Sequence, residues 1–149
     1  MNGPIEALIE LARGRCDLAA KAVVEQLAGQ RAARLKDEML VQYRGEYLER
    51  QARTTRAGTD GATLRNLAGF LAKLDEARAQ SARELAEMDA RVARARIEWS
   101  AAKRKLEGYL ALQRRDEGRR AVRARRSEQR QQDEFAARSA RDHTGESRR

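Results

Sequence analysis

"LRNLAGFLAKLDEARAQSARELAEMDARVARARIEWSAAKRKLEGY", residues 64–109, steps its apolar side chains by three and four residues in alternation. The steps fall on Leu64, Leu67, Leu71, Leu74, Arg78, Ser81, Leu85, Met88, Val92, Ala95, Trp99, Ala102, Leu106 and Tyr109, and twelve of these fourteen positions are apolar. An average step of 3.5 keeps one stripe of a helix turned toward a partner helix, the pattern of a left-handed coiled coil. The same count continues through Gln113, Asp116, Arg120, Arg123, Ser127, Arg130 and Glu134. The apolar seam is therefore expected to end at Tyr109 or Leu112.

Immediately upstream, "RTTRAGTDGAT", residues 53–63, gathers two glycines, four threonines and an aspartate, the one strong turn signal before the tail. It predicts a first helix over 4–53, a turn over 54–62, a second helix over 63–140 and a disordered tail over 141–149, all one domain. Pro4 suits the first position of a helix, where its missing N–H is not needed, and Asp60 or Thr63 can cap the second. The first helix is harder to phase. One register takes Ile5, Leu8, Ala12, Ala19, Ala22, Ala33, Leu40, Tyr43 and Tyr47 but omits Leu11, Leu18, Val23, Val24 and Leu27. Between residues 18 and 28 the apolar surface is wider than one seam, which leaves either a further partner or self-association open.

A chain that folds back near residue 58 sets Leu8 opposite the neighbourhood of Leu106 and the N-terminus opposite about residue 114. The expected fold is thus all-α: a long two-stranded antiparallel coiled-coil hairpin whose C-terminal helix extends beyond the N-terminal one, with an overhang from about residue 113. Composition agrees. Of 149 residues, 37% are charged and 4% aromatic, too little bulky apolar material for a compact core, while Ala, Leu, Glu, Arg and Lys favour helix. No run of 18 apolar residues and no secretory leader pattern is visible, so a cytoplasmic protein without membrane insertion is expected. The single cysteine, Cys16, has no partner for an internal disulfide.

Nothing in the sequence assembles an active site. The one histidine, His143, lies in the tail, Cys16 has no base within helical reach, and the ten glycines form no phosphate-cradling loop. No enzyme activity, cofactor or metal is expected. Two features remain. Tyr43 and Tyr47 stand one turn apart near the turn, across from Phe70 and Leu74, and read either as core filling or as an exposed anchor patch. The second is charge: of the net +9, residues 113–149 hold twelve basic against seven acidic groups. Within that segment Arg115, Arg119, Arg123, Arg126 and Arg130 fall inside about 80° of one helix face. Dense arginine fits an acidic protein, nucleic acid or merely a solvated helix. No aromatics interleave with it, which counts against single-strand binding.

The tyrosine pair in "LVQYRGEYLERQ", the turn followed by "LRNLAGFLAKLDEA", the tryptophan and basic run of "EWSAAKRKLEGYLALQ" and the late "QQDEFAARSA" together resemble the FliJ proteins of the bacterial flagellar export apparatus. The resemblance covers about residues 5–140, and departs from the family pattern at Leu67, Lys36 and Ser81. It implies an antiparallel coiled coil similar to the central stalk of rotary ATPases, acting as a non-enzymatic coupling component of type III export at the inner face of the membrane. The implied partners are the hexameric flagellar export ATPase, the cytoplasmic region of the export-gate membrane protein and export chaperones, with no nucleic acid. By the same resemblance, the gate-contacting residues are Leu40, Tyr43, Tyr47, Phe70, Leu74 and Ala77. The ATPase ring would receive the open tip, where Arg115, Arg119, Arg123, Arg126 and Arg130 lie. The stalk proteins of virulence secretion systems are the nearest alternative, and a basic nucleic-acid-binding coiled coil is the alternative of another class.

Overall fold

A computed structural model describes residues 3–147. Two helices, α1 (Pro4–Ala57) and α2 (Gly61–Glu146), pack against each other as a helical hairpin, and no strand occurs among the described residues. No helix is long and apolar enough to cross a membrane among those residues. At the start of α1 the Gly3 N–H donates to Glu6 Oε2 at 2.6 Å, the reciprocal half of a capping box, and Pro4 takes the first helical position.

The connection is shorter than the sequence suggests. Residues 54–57 and 61–62 are helical, leaving only 58–60 between the helices. Gly58 adopts φ +81°, the left-handed conformation that ends a helix without a Cβ clash. Asp60 then accepts the Thr63 N–H at 2.8 Å and caps α2. Hydrogen bonding from Thr63, its side chain first and its backbone N–H second, holds the Asp60 carboxyl below its ordinary range. At the far end, residues 141–146 of the expected tail are helical. Residues 148–149 lie outside the described residues.

The chain divides into two compact units. In the unit Gly14–Lys103 the helices run antiparallel, and three side-chain bonds fix their register: Gln30 to Asp89 at 2.6 Å, Lys36 to Glu84 at 3.1 Å and Arg44 to Asp75 at 2.7 Å. Facing residue numbers add to about 119, four more than a fold-back near residue 58 requires. Part of the difference comes from the turn, whose three residues centre on 59 rather than 58. The α2 seam follows the expected steps: Leu74, Ser81, Val92 and Ala95 are buried and the other positions from Leu64 to Trp99 half-buried.

On α1 the seam differs from the expected register. It runs through Cys16, Ala19, Val23, Gln26, Gln30, Ala33, Asp37, Leu40, Arg44, Tyr47, Gln51 and Thr54, all buried or half-buried. Val23 is buried beside the half-buried Ala22, and Arg44 replaces Tyr43 on the seam. Half of these positions are polar, so hydrophobicity does not reveal the phase. Two of the polar heads, Gln30 and Arg44, find partners across the interface.

The other unit joins Met1–Arg13 to Arg104–Arg149. Here Ile9 and Ala12 are buried and Ile5 half-buried, while Leu106, Tyr109 and Gln113 are half-buried on α2. Leu8, expected to face Leu106, points outward and Ile9 takes its place, because the step from Ile5 is four residues. Gly3–Glu6 share a shallow hollow with Gln113, Asp116, Glu117 and Arg120. Pairing therefore reaches about Arg120, beyond the overhang boundary near 113. From Arg114 to Arg138 every residue is exposed.

Candidate functional site

Within the unit Gly14–Lys103, Tyr47 and Phe70 meet across the two helices, ring centroids 4.2 Å apart and planes inclined by 30°. Aromatic pairs in contact attract beyond the area they bury. The Arg50 guanidinium lies 5.3 Å over the Tyr47 ring, within cation–π range. Tyr43, one turn earlier on α1, is 46% exposed. Ala77 on α2 sits opposite it by the register of Lys36 with Glu84 and is half-buried. Leu40 is half-buried beside them, and Leu74 is buried in the seam below.

The six residues thus divide by role. Leu74 and Leu40 form a floor, Tyr47 packs its tilted ring on Phe70, and Tyr43 and Phe70 offer open aromatic surface. Behind this floor, Arg44 and Asp75 join the helices at 2.7 Å. The pair is half-exposed, so its energetic contribution is small, about 0.2–1 kcal/mol, but it ties together the turns that carry Tyr43, Tyr47 and Leu74. Further along the same unit the Lys36 ammonium, 3.1 Å from Glu84, holds that carboxyl below its ordinary range, with Gln80 adding a second hydrogen bond.

The second candidate is the arginine face of the unit that contains Arg104–Arg149. Arg115, Arg119, Arg123, Arg126 and Arg130 are all exposed. None of them makes an ion pair or a side-chain hydrogen bond with another described residue. The acid nearest in sequence that has a partner is Asp116, and it is taken by Arg120 at 3.3 Å, off the stripe. Five cations on one face with no internal counter-charge repel by a few tenths of a kcal/mol for each pair three or four residues apart. A helix keeps such a face more easily when something acidic covers it.

The remaining chemistry is sparse. Cys16 is a free, half-buried thiol, and no cluster of metal-ligating side chains occurs among the described residues. The sequence profile of the flagellar FliJ protein family matches residues 1–145. The chain belongs to the FliJ family. It is 30% identical over 141 residues to the flagellar FliJ protein of Salmonella typhi, covering 93% of this chain and 95% of that one. With the flagellar FliJ protein of Escherichia coli (strain K12) it shares 27% over 139 residues, again 93% and 95% of the two chains.

In this FliJ-family chain the structure brings the tyrosine pair, Phe70, Leu74 and Ala77 into one neighbourhood and sets the arginines on one bare helix face. Sequence reasoning missed Arg50, although its place three residues after Tyr47 was a usable signal, since residues so spaced meet on a helix. It also missed the Arg44–Asp75 pair, which no pattern within one helix reveals.

Proposed function

We propose that this protein is a non-enzymatic stalk of flagellar type III protein export, joining the export ATPase ring to the export gate and assisting delivery by export chaperones. In this reading it is cytoplasmic and sits at the inner face of the membrane at the flagellar base. The arginine face, Arg115 through Arg130, enters the ring, and the aromatic patch formed by Leu40, Tyr43, Tyr47, Phe70, Leu74 and Ala77 contacts the gate. The observation that carries the reading is the arginine face itself: five cations without an ion-pair partner among the described residues, all exposed on one helix face, in a chain of a flagellar family. A virulence-system stalk would carry the same hairpin, but both relatives named above are flagellar.

The deciding experiment measures ATP hydrolysis by the purified export ATPase with increasing amounts of this protein. The wild-type chain should stimulate turnover, and the variant carrying Arg115→Glu, Arg119→Glu and Arg123→Glu should not. Equal stimulation by the two proteins sinks the ring assignment. Tight, salt-sensitive binding to DNA that is lost in the same variant would favour the nucleic-acid reading instead.

A further inference from the structure

Three leucines beside the arginine face are turned outward rather than into the seam: Leu8 is 41%, Leu11 52% and Leu112 49% exposed. The hollow that Gly3–Glu6 share with Gln113–Arg120 sets facing numbers in this unit near 120, which brings Leu8 opposite Leu112. Leu11 follows Leu8 by three residues on the same side of α1. At 100° per residue, Leu112 falls inside the arc of about 80° that the five arginines span. The apolar knuckle and the arginine stripe are therefore one continuous surface. It is apolar for its first turns and cationic for the rest, about 27 Å from Leu112 to Arg130, and no acidic residue lies within the arc over that length.

We infer that this surface receives an acidic amphipathic helix of its partner, with apolar residues seated on Leu8, Leu11 and Leu112 and carboxylates recurring every three or four residues against the arginines. The stripe is straight and narrow, as the face of one helix is. A polyphosphate backbone would meet the arginines but set its charge against three leucines, whose exposed area gains only from apolar cover. The helix supplies both parts in the observed order. This deepens the ring assignment and rests on the arginine face being a binding surface.

A labelled 20-residue peptide serves as probe, with leucines in its two terminal turns and glutamates at three- and four-residue spacing elsewhere, made in both chain directions. Controls replace every leucine by alanine, or every glutamate by glutamine. Anisotropy titrations with the full chain should show the parent peptide, in one direction, binding at least tenfold more tightly than either control, and weakening with added salt. The triple variant Leu8→Ser, Leu11→Ser and Leu112→Ser should lower affinity to that for the alanine peptide while leaving the salt dependence in place. The single variant Leu11→Ser, at the most exposed of the three positions, should act in the same direction if the triple variant loses helicity by circular dichroism. Equal affinity for the parent and alanine peptides, or unchanged affinity in a folded leucine variant, overturns the inference. Arginine variants that lose the peptide but still stimulate the ATPase would sink the ring reading and leave this one standing.

Discussion

Tyr47 stacks on Phe70 at 4.2 Å while Tyr43, one turn away on the same helix, stands clear of the seam. Two tyrosines with the same spacing signal therefore do different things, and substitution separates them. Tyr43→Ala should weaken binding to the export gate with little change in melting temperature. Tyr47→Ala should weaken it as well, but should also lower stability by about 1–2 kcal/mol through loss of the aromatic pair. Thermal melts beside gate-binding titrations check this; equal destabilisation by the two variants contradicts it.

Ser81 is the most deeply buried side chain described, at 1% exposure, and its hydroxyl has no hydrogen-bond partner. A buried polar group without a partner costs desolvation and returns nothing. Ser81→Ala keeps the small volume that lets the helices approach, and should raise stability by about 1 kcal/mol in urea unfolding. Ser81→Leu should lower it by overpacking.

The turn depends on Gly58, whose positive φ excludes any side chain at low cost. Gly58→Ala should lower stability by about 1–2 kcal/mol, although a Cβ there would meet no neighbouring atom within 4 Å. Because the penalty is in the backbone, Gly58→Asn should recover part of it. An unchanged melting temperature for the alanine variant would place the strain elsewhere.

Asp60 makes the start of α2 sensitive to acid. Its carboxyl is held below the ordinary range by hydrogen bonding from Thr63, so the folded state binds that proton less readily than the unfolded chain. The contribution is fully present above the unfolded value and is lost as pH falls through the folded one. Melting temperature should fall more steeply below about pH 4 in the wild-type protein than in Asp60→Asn. Parallel pH curves for the two would remove Asp60 from the account.

Residues 121–147 make no seam. The described part is exposed throughout apart from the half-buried Ser139, so a chain ending at Arg120 should melt within a few degrees of the full chain and yet lose ATPase stimulation. Ending it at Leu112 should cost more, because Gln113, Asp116, Glu117 and Arg120 line the hollow with Gly3–Glu6. Calorimetry on the two truncations distinguishes the register observed here from one centred near residue 58.

The helical hairpin was legible in the sequence from the turn signal at 53–63 between two helical stretches, and the α2 seam from Leu64 to Tyr109 and the arginine face from spacing along one helix. A 3.5-residue apolar repeat or a three-four run of arginines has the same geometry whatever lies beside it. The sequence did not determine the α1 seam. Gln26, Gln30, Asp37, Arg44, Gln51 and Thr54 sit on that seam, and an interface half polar leaves no hydrophobic phase to read. Those side chains are tolerable there because they are only half-buried and two of them reach across, Gln30 to Asp89 and Arg44 to Asp75. Only tertiary structure also decided the register. In the unit Gly14–Lys103 facing numbers add to about 119 rather than 115, and in the other unit Gly3–Glu6 share a hollow with residues as far as Arg120. Leu8 and Leu11 face outward beside Leu112 because Ile9 and Ala12 occupy the seam and the 100° step per residue sets Leu8 and Leu11 to one side of it.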